Sequence, residues 1–466
     1  MSGTRPAHSR LGHAVVVGGG LAGLAAARVL ADRADRVTVL ERAAVDAGTG
    51  VRGALPQEHH PHVLLHSGQA ALEELFPGIT AESAGHAAAA FDWGAMTTQL
   101  PGQVAGRFRT GIDLRPVPRP ALERLVRTRV AAHPRIRTVC GVRVDDLSWS
   151  ADRRTVTGVR GRSRAGEPVV HAADLVVDAS GRHSRLPSWL AGSTGAPVPA
   201  RTVAVPLCYV SAVHDGPPGA GPGFTAYYEP VYAPMVRRGA LVLPLPDRRW
   251  LVGLIAVGEP VPVADPERIA FARSLQNPLV AELVATGPRV SPRPHRYLQR
   301  SSRWWQYHRI RRWPRGLVAL GDAVCTTNPI YGQGMTLAVQ QAVALRDILD
   351  SHPLHRVPAR FQRAVATRLR FPWLLSFNAD RGWLPGPRAP GAAAVRGYMQ
   401  VLLDHAVHDG ELFRRLNLVQ QLLVPPTGLV APGTLRALAA CVARDRRPRP
   451  HVAGRPPAGA GGGGAR

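Results

Sequence analysis

A glycine pattern near the N-terminus constrains the fold of this chain more than any other feature. Gly18, Gly20 and Gly23 follow an apolar run and open an Ala- and Leu-rich segment, after which a second apolar run ends in Glu41. In such a strand–turn–helix–strand unit the first glycine permits a tight turn, the second lets the backbone approach a pyrophosphate, and the third allows close helix–strand packing. The helix N-terminus supplies amide donors, and Glu41 is placed to accept from ribose hydroxyls. The sequence therefore predicts a dinucleotide site, although this motif alone does not distinguish NAD from FAD.

The charge of the chain first suggests a nucleic-acid partner. The 466 residues carry a formal charge of +26, and a chain of this length favours two packed domains. However, all 58 basic residues are Arg and none is Lys, whereas a surface selected for phosphate would normally use both. We therefore attribute the charge to a coding bias and expect no nucleic acid. The alternative is that the chain is an Arg-rich nucleic-acid-binding protein. This alternative would be excluded if the purified protein were yellow, as flavoproteins are, and did not bind DNA.

Cysteine use and hydropathy predict a cytoplasmic protein. The cysteines are scattered and form no close pair, which is typical of reduced thiols rather than of a disulfide framework or a zinc module. The N-terminal apolar run contains the spaced glycines and lacks a clean cleavage site, so it does not fit a signal peptide. No apolar stretch reaches the roughly 18 residues that a spanning helix needs, so we expect no integral membrane segment.

In the rest of the chain the pattern of apolar residues changes along the sequence and predicts different secondary structure in different regions. Short apolar runs at 175–177 and 317–320 are typical of buried parallel strands. Between about 201 and 300, alternating segments bounded by Pro, Gly and Asp indicate an antiparallel sheet. From about 334 to 445 helical periodicity dominates. Helix interruptions are predicted at Pro353, Pro372, Pro385 and Pro425–Pro426.

Two later segments distinguish FAD from NAD. The first runs from Asp178 to Arg182, and the second begins at Gly321 and Asp322. In the second, Asp322 can accept from a ribityl chain, and a small-residue turn then leads into a helix whose backbone donors can face an isoalloxazine ring and a pyrophosphate. The residues of this turn that we expect to bind the cofactor are Pro329, Gly332, Gly334 and Met335. In this order, the three motifs resemble those of class A flavoprotein monooxygenases.

Within that group, the chain is most similar to bacterial polyketide-tailoring flavin epoxidases of the polyether type. The segments that carry the resemblance are 56–64, 72–78, 178–186 and 313–317. The sequence departs from this family by one extra residue within 52–55, by Gln333 where a His is usual, and by His183 where a small residue is usual. The last two positions are expected near the flavin, so they put the substrate in doubt more than the cofactor.

The resemblance implies an α/β fold with a Rossmann-like FAD-binding domain of the para-hydroxybenzoate hydroxylase type, an antiparallel-sheet substrate domain and C-terminal helices. The predicted boundaries are 12–90, 119–200 and 310–350 for a discontinuous FAD-binding domain, 91–118 and 201–309 for the substrate domain, 351–445 for the helical region, and 446–466 for a disordered tail.

The resemblance also implies the chemistry. One oxygen atom of O2 would be inserted through a flavin C4a-hydroperoxide into a polyketide or terpenoid, free or bound to a carrier protein. NAD(P)H would be the reductant, directly or through a flavin reductase. The flavin carries this chemistry, so no side chain is predicted to be catalytic. The alternative is a flavin-dependent oxidoreductase or cyclase that inserts no oxygen.

Several candidate side chains keep two interpretations. Arg42 and Arg119 are expected at the cofactor, although Arg119 could equally be a solvated helix-start residue. The histidines at 59, 60, 62 and 66 suggest a metal, but their spacing and the absence of Asp or Cys favour a flavin-adjacent loop. The basic stretch 293–315 could meet phosphates, although an exposed strand with Trp313 packed beneath it is favoured. Candidates for the substrate wall, which could instead be core, are Phe224, Tyr227, Tyr228 and Tyr232.

Overall fold

The computed structural model describes residues 10–46, 50–51, 59–216, 223–386 and 391–445. The predicted disordered tail, the extra residue within 52–55 and the beginning of the 56–64 segment lie outside the described residues. In chain order the strands are β1 (Leu11–Val17), β2 (Ala34–Glu41), β3 (Val45–Asp46), β4 (Gly50–Val51), β5 (Phe91–Asp92), β6 (Thr97–Leu100), β7 (Gln103–Val104), β8 (Asp113–Leu114), β9 (Ile136–Cys140), β10 (Arg143–Trp149), β11 (Val156–Arg162), β12 (Pro168–Ala172), β13 (Leu175–Asp178), β14 (Ala200–Val203), β15 (Leu207–Asp215), β16 (Tyr227–Glu229), β17 (Arg238–Pro244), β18 (Arg249–Val257), β19 (His295–Gln299), β20 (Ser302–Trp305), β21 (Leu317–Ala319) and β22 (Cys325–Thr326).

Helices alternate with the strands in the first part of the described chain and make up most of its last third. In chain order the α-helices are α1 (Leu21–Ala31), α2 (His66–Leu75), α3 (Ile79–Ala84), α4 (Arg119–Ala131), α5 (Leu186–Thr194), α6 (Asp265–Arg273), α7 (Leu279–Thr286), α8 (Gly334–Ser351), α9 (Val357–Arg381), α10 (Ala392–Ala406), α11 (Gly410–Gln420) and α12 (Pro432–Asp445). Short 3-10 helices lie at Trp93–Ala95, Gly181–His183, Tyr307–Arg309, Gly321–Ala323, Pro329–Tyr331, Leu354–Arg356 and Pro426–Val430. Among the residues described, no helix combines the length and the apolar character that crossing a bilayer requires.

A five-stranded parallel sheet forms the first layer, with strand order β21-β13-β1-β2-β9. Its strands are gathered from across the first 319 residues. The helix α1 packs on this sheet, β10 and β11 of a separate antiparallel sheet also contact it, and most residues of β1, β2, β13 and β21 are therefore buried. Val17 lies opposite both Leu40 and Asp178 in the ladders, so β1, β2 and β13 end at the same edge. The glycine turn after β1 therefore emerges at the carboxyl edge of the sheet, where ligands bind in folds of this kind.

A seven-stranded sheet forms the second layer, with strand order β19-β15-β18-β17-β16-β6-β7. The pairings of β15, β17, β18 and β19 are antiparallel, and β16 joins β6 in parallel. One face packs on α6 and α7 through a core that includes Val252, Phe271 and Val280. The other face is left to contact the histidine-containing segment 59–65 and the turns at the edge of the parallel sheet.

The predicted interruption at Pro372 is wrong, because α9 runs through this residue without ending. A proline inside a helix removes one backbone hydrogen bond and costs about 3 kcal/mol. The same helix buries Phe361, Leu369 and Trp373, each at most 1% exposed, in the main core, which surrounds the parallel sheet. These residues are eight and four positions apart, so they lie on one face of the helix. Full burial of such side chains contributes roughly 1.5–3 kcal/mol each, so tertiary packing outweighs the local penalty. The other predicted interruptions fall between α-helices.

Candidate functional site

A cavity of about 1100 Å³ lies between the two sheets. On one side it is lined by the turns at the carboxyl edge of the parallel sheet, and on the other by side chains of the seven-stranded sheet. Among the predicted cofactor residues, those that line it are Gly18, Gly20, Glu41, Arg42, Arg119, Asp322, Pro329, Gly332, Gly334 and Met335. Motifs separated by 300 residues in the sequence thus meet in one space.

The three glycines of the first motif have different physical roles. Gly18 has φ +105° and would carry a Cβ 2.4 Å from the Ala179 carbonyl oxygen, so it needs both an unusual conformation and a close approach. A Cβ on Gly23 would lie 1.9 Å from the Gly18 carbonyl oxygen, so this glycine lets α1 pack against the turn. A Cβ on Gly20 would meet nothing within 4 Å and would enter the cavity. Its missing side chain therefore leaves room for a ligand rather than for protein.

Glu41 is held in place by the backbone around it. Its Oε2 accepts from the Gly19 amide at 2.7 Å, and its Oε1 accepts from the Ala43 amide at 2.8 Å. Each carboxylate oxygen has a second lone pair, so both can still accept from hydroxyl groups in the cavity. The backbone of the glycine turn is thus tied to the acid at the end of β2.

Asp178, a predicted cofactor residue, does not line the cavity. It is 1% exposed and accepts from the Ser180 amide at 3.0 Å, from the Ser180 hydroxyl at 2.5 Å and from the Ser184 hydroxyl at 2.5 Å. Burial raises its pKa, and these hydrogen bonds oppose the rise. Through these hydrogen bonds Asp178 shapes the turn 179–183, which does line the cavity.

The second flavin motif also contains one residue that serves the local structure and one that lines the cavity. Gly321 has φ +66°, donates its amide to Gln341 Oε1 at 2.8 Å, and would bring a Cβ to within 2.9 Å of Ala22 Cβ. It therefore serves the packing of three elements rather than the cavity. Asp322 does line the cavity, and burial raises its pKa while Arg119 and Arg182 act in the opposite direction.

Arg119 and the histidine segment form one hydrogen-bonded group in the cavity wall. Arg119 donates from Nε to Glu123 Oε1 at 2.8 Å, and its Nη1 lies 3.1 Å from His62 Nε2. His62 Nδ1 lies 2.7 Å from the His60 carbonyl oxygen, so Nδ1 carries the proton and Nε2 accepts from Arg119. Burial and then Arg119 lower the pKa of His62 to about 3, which keeps its ring neutral. In the parts of the chain that the structure describes, no group of three or more His, Cys, Asp or Glu could hold a metal.

Arg127 is a cavity residue that sequence reasoning missed. It lies two helical turns after Arg119 on α4 and donates from Nη2 to the Gly19 carbonyl oxygen at 3.0 Å. Its Nη1 is buried beside the cavity and has no partner among the described residues. The spacing 119, 123, 127 is a repeated i,i+4 pattern, which could have placed Arg127 on the same helix face.

Of the four residues predicted for the substrate wall, Tyr228 alone lines the cavity. Tyr227 is fully buried and donates to Glu229 Oε2 at 2.5 Å, and Phe224 packs against it in the core beneath α6 and α7. Tyr232 lies away from the cavity, with its hydroxyl 3.4 Å from Gln400 Oε1. Tyr228 does line the cavity, because neighbouring residues of a strand point to opposite faces of the sheet. Further wall residues that the sequence did not reveal are Trp93, Met96, Tyr209, Leu241, Ile255, Tyr297 and Tyr331.

The basic stretch 293–315 is partly a cavity feature. Arg296 and Arg300 line the cavity on either side of Tyr297, on the edge strand β19 and just after it. Trp304 is buried in the main core, and Trp313 packs against the same core and donates to the Leu317 carbonyl oxygen at 2.7 Å. The tryptophans at 304 and 313 therefore serve packing, whereas Tyr297 and two arginines of the stretch face the cavity.

The residues at the sheet edge fit a dinucleotide with a pyrophosphate. The space beside Gly20 is open, α1 begins there without a side-chain cap, and Arg127 Nη1 is a buried donor for which the described residues provide no acceptor. A helix N-terminus and an Arg guanidinium both favour an anion at this place. The groups that could hold FAD are therefore present on this chain.

Comparisons with known proteins identify the family. A family model described as FAD dependent oxidoreductase matches residues 14–184. Protein Rv3254 of Mycobacterium tuberculosis is 31% identical over 442 residues, which cover 89% of this chain and 91% of that protein. The chain belongs to the FAD-dependent oxidoreductases. As an FAD-dependent oxidoreductase it is an enzyme, and the prediction of FAD as its cofactor agrees with the family.

Two further proteins that are similar to this FAD-dependent oxidoreductase are described as monooxygenases, one of them as a probable one. A kynurenine 3-monooxygenase of Salinispora tropica is 28% identical over 365 residues, 73% of each chain. The structure of PqsL from Pseudomonas aeruginosa, described as a probable FAD-dependent monooxygenase, has a TM-score of 0.56 at 19% identity and covers 86% of this chain and 98% of that chain. The predicted fold class is confirmed by these likenesses and by the combination of a parallel sheet with a larger, mainly antiparallel sheet.

Proposed function

We propose that this FAD-dependent oxidoreductase is a monooxygenase that inserts one oxygen atom of O2 into a polyketide or terpenoid intermediate, by epoxidation or hydroxylation. The observation that carries the proposal is that one cavity joins the dinucleotide edge of the parallel sheet to a compartment walled by the seven-stranded sheet. Most residues of the turn 329–334 also line this cavity. A flavin ring beside this turn would be within reach of a substrate in that compartment.

The chain's own residues divide the work of holding FAD. The open space at Gly20 and the donors of α1 and Arg127 suit the pyrophosphate, and Glu41 suits a ribose. Asp322 is placed to accept from the ribityl hydroxyls. When bound, FAD supplies the redox chemistry, which is acceptance of hydride from a reductant and activation of O2.

The compartment beside the flavin turn has several apolar and aromatic side chains in its wall, which would help to exclude water. Its wall includes the buried side chains of Trp93, Met96 and Ile255, together with Tyr209 and partly buried Tyr228. Exclusion of water protects reactive oxygen species from unproductive breakdown and strengthens polar contacts with a substrate. Epoxidation of an alkene needs no side-chain base, which agrees with the resemblance to polyether-type epoxidases in the sequence.

NAD(P)H is the proposed reductant, used directly or through a separate flavin reductase. Arg296 and Arg300 face the cavity and have no ion-pair partner among the residues that the structure describes. Their guanidinium groups could attract the phosphates of a pyridine nucleotide or of a carrier-bound substrate.

Labelled O2 tests the proposed function. The FAD-loaded protein is reduced with NADH or NADPH and mixed with a panel of polyene and aromatic polyketide-like compounds under isotopically labelled O2. We expect at least one compound to gain a single labelled oxygen atom while reductant is consumed. A compound that is converted without label would contradict oxygen insertion and would favour the oxidoreductase or cyclase alternative.

Arg127 is expected to contribute to FAD affinity. Arg127→Met removes the Nη1 donor beside the cavity, and FAD affinity should therefore fall by about tenfold to a hundredfold. This is the effect expected from the loss of one charge-assisted hydrogen bond, which contributes roughly 1.5–3 kcal/mol. Titration of the apo-protein with FAD, followed by quenching of flavin fluorescence, measures the change. Arg129→Met is the matched control, because Arg129 lies on the same helix but pairs with Glu82 outside the cavity. Equal losses in both variants would argue against a role at the cofactor.

A further inference from the structure

Two polar side chains in the wall of the substrate compartment have an unsatisfied atom. His60 is 6% exposed and Tyr209 is 8% exposed, and both line the cavity. Neither His60 Nε2 nor the Tyr209 hydroxyl has a hydrogen-bond partner among the described residues. Buried polar groups without partners are rare in folded proteins, and their presence in a cavity wall indicates a ligand that completes them.

The loop that carries His60 is fixed against the seven-stranded sheet. His60 Nδ1 lies 2.7 Å from Ser211 Oγ on β15, the strand that also carries Tyr209. Gly253 on β18 lets the loop approach, because a Cβ there would lie 2.8 Å from Pro61 Cδ. The remaining ring nitrogen of His60 is therefore held in a fixed orientation, and only this atom is left for a ligand.

The two groups have complementary hydrogen-bonding character. Burial, followed by the charges of His295 and His59, lowers the pKa of His60 to about 4, so the imidazole is neutral near pH 7. Burial raises the pKa of Tyr209 well above its ordinary value, so the phenol keeps its proton and donates. When His60 Nδ1 donates to Ser211 Oγ, Nε2 is a bare acceptor. A hydroxyl group suits this pair, because it accepts from Tyr209 and donates to His60.

The surroundings of the pair favour a flat ligand. The ring centroids of His60 and Tyr209 are 6.1 Å apart, and Tyr297 lies 5.8 Å from His60 and 6.4 Å from Tyr209. Arg182 lies 5.6 Å from the centroid of the Tyr297 ring, which helps to hold that ring in place. The Tyr297 ring thus lies beside both of the rings that carry the unsatisfied polar atoms, and walls made of such rings bind planar unsaturated groups well.

We propose that His60 and Tyr209 form the binding site for a hydroxyl group on a planar unsaturated substrate, that is, a phenol or an enol. The assignment as substrate rests on the proposed monooxygenase function, whereas the hydroxyl site itself rests only on the geometry of the cavity. Its consequence is selectivity, since a compound without the hydroxyl leaves two buried polar atoms unpaired. His60 and Tyr209 are positioning residues, because the flavin carries the oxidation.

Three matched ligands test the site. The FAD-loaded protein is titrated with 2-naphthol, which donates and accepts, with 2-methoxynaphthalene, which only accepts, and with 2-methylnaphthalene, which does neither. Binding is followed by tryptophan fluorescence, since Trp93 lines the cavity, and by the flavin absorbance spectrum. We expect 2-naphthol to bind at least about tenfold more tightly than 2-methylnaphthalene, with 2-methoxynaphthalene between them.

Variants attribute the selectivity to the two residues. In Tyr209→Phe and in His60→Leu the preference for 2-naphthol over 2-methylnaphthalene should fall to about twofold or less. His60→Gln, which keeps an acceptor, should restore part of the preference. Tyr232→Phe should leave it unchanged, because the Tyr232 hydroxyl lies outside the cavity lining near Gln400.

Several outcomes would overturn the proposal, and they differ from failure of the proposed function. Equal affinity for the three ligands, no binding of any of them, or the same preference in Tyr209→Phe as in the wild type each removes the hydroxyl site. Loss of labelled-oxygen incorporation with an intact preference would instead contradict the monooxygenase function alone. If the protein took up no FAD, the same titrations by tryptophan fluorescence would still decide the hydroxyl site.

Discussion

Gly20→Ala is expected to leave the apo-protein folded and to lower FAD affinity by about a hundredfold or more. Gly20 has φ −78° and ψ 179°, which alanine adopts without strain, and beyond its chain neighbours the new Cβ would meet no atom of the described residues within 4 Å. The methyl group would instead occupy the space where the backbone must approach a pyrophosphate, so the cost appears only in the complex. The two measurements are the unfolding temperature of the apo-protein and a fluorescence titration with FAD.

Gly23→Ala is the matched comparison in the same turn. Its Cβ would lie 1.9 Å from the Gly18 carbonyl oxygen, so the backbone itself would have to move. We expect destabilisation of the apo-protein on the order of 3 kcal/mol, measured by urea unfolding. If Gly20→Ala destabilised the apo-protein as much as Gly23→Ala, or bound FAD normally, then the open space at Gly20 would not be a cofactor site.

Asp380 is expected to make folding stability fall as pH rises from about 4 to about 6. It is a buried carboxyl on α9 that accepts from Asn328 Nδ2 at 2.6 Å and from Ser302 Oγ at 3.0 Å. Burial raises its pKa from 3.8 to about 6, and the two hydrogen bonds oppose this rise. Because the native pKa lies above the unfolded one, its contribution to stability is fully present below the unfolded value and is lost as pH rises through the native value.

Asp380→Asn removes this titration while keeping the shape of the side chain. Between about pH 4.5 and about pH 7.5 the wild type should lose about 2 kcal/mol relative to the variant, as the linkage between pKa and stability requires. Urea unfolding of both proteins at the two pH values measures the difference. Parallel pH dependence in the two proteins would show that Asp380 has no raised pKa. The nearby tyrosines do not confuse the result, because burial keeps the pKa values of Tyr209 and Tyr331 far above this range.

The parts of the account that the sequence predicted are those that depend on local pattern. The sequence predicted the short motifs, because residue types close together in the chain specify their backbone conformation. These motifs are the glycine turn with Glu41 and the segment from Asp322 to Met335. The location of Asp178 shows the limit of such patterns. Its carboxylate is used within its own turn by Ser180 and Ser184, and the motif alone does not reveal which way the side chain faces.

The parts that could not be predicted depend on contacts between distant segments. Whether Tyr227 or Tyr228 faces the cavity depends on which side of β16 carries α6 and α7, and the sequence of a short strand does not settle this. The pairing of His60 with β15 joins residues 151 positions apart. Pro372 was predicted to interrupt a helix because the sequence shows the cost of a proline inside a helix. The sequence does not show the burial of other α9 side chains, which offsets this cost.

Flavin uptake by the purified protein tests the central claim most directly. Apo-protein is mixed with excess FAD, free flavin is removed, and bound flavin is measured by absorbance in the wild type and in Gly20→Ala. The account predicts one FAD per chain with a raised unfolding temperature in the wild type, and far less FAD in the variant. No retained flavin in the wild type, or equal retention in both proteins, would contradict the assignment of this cavity as the FAD site.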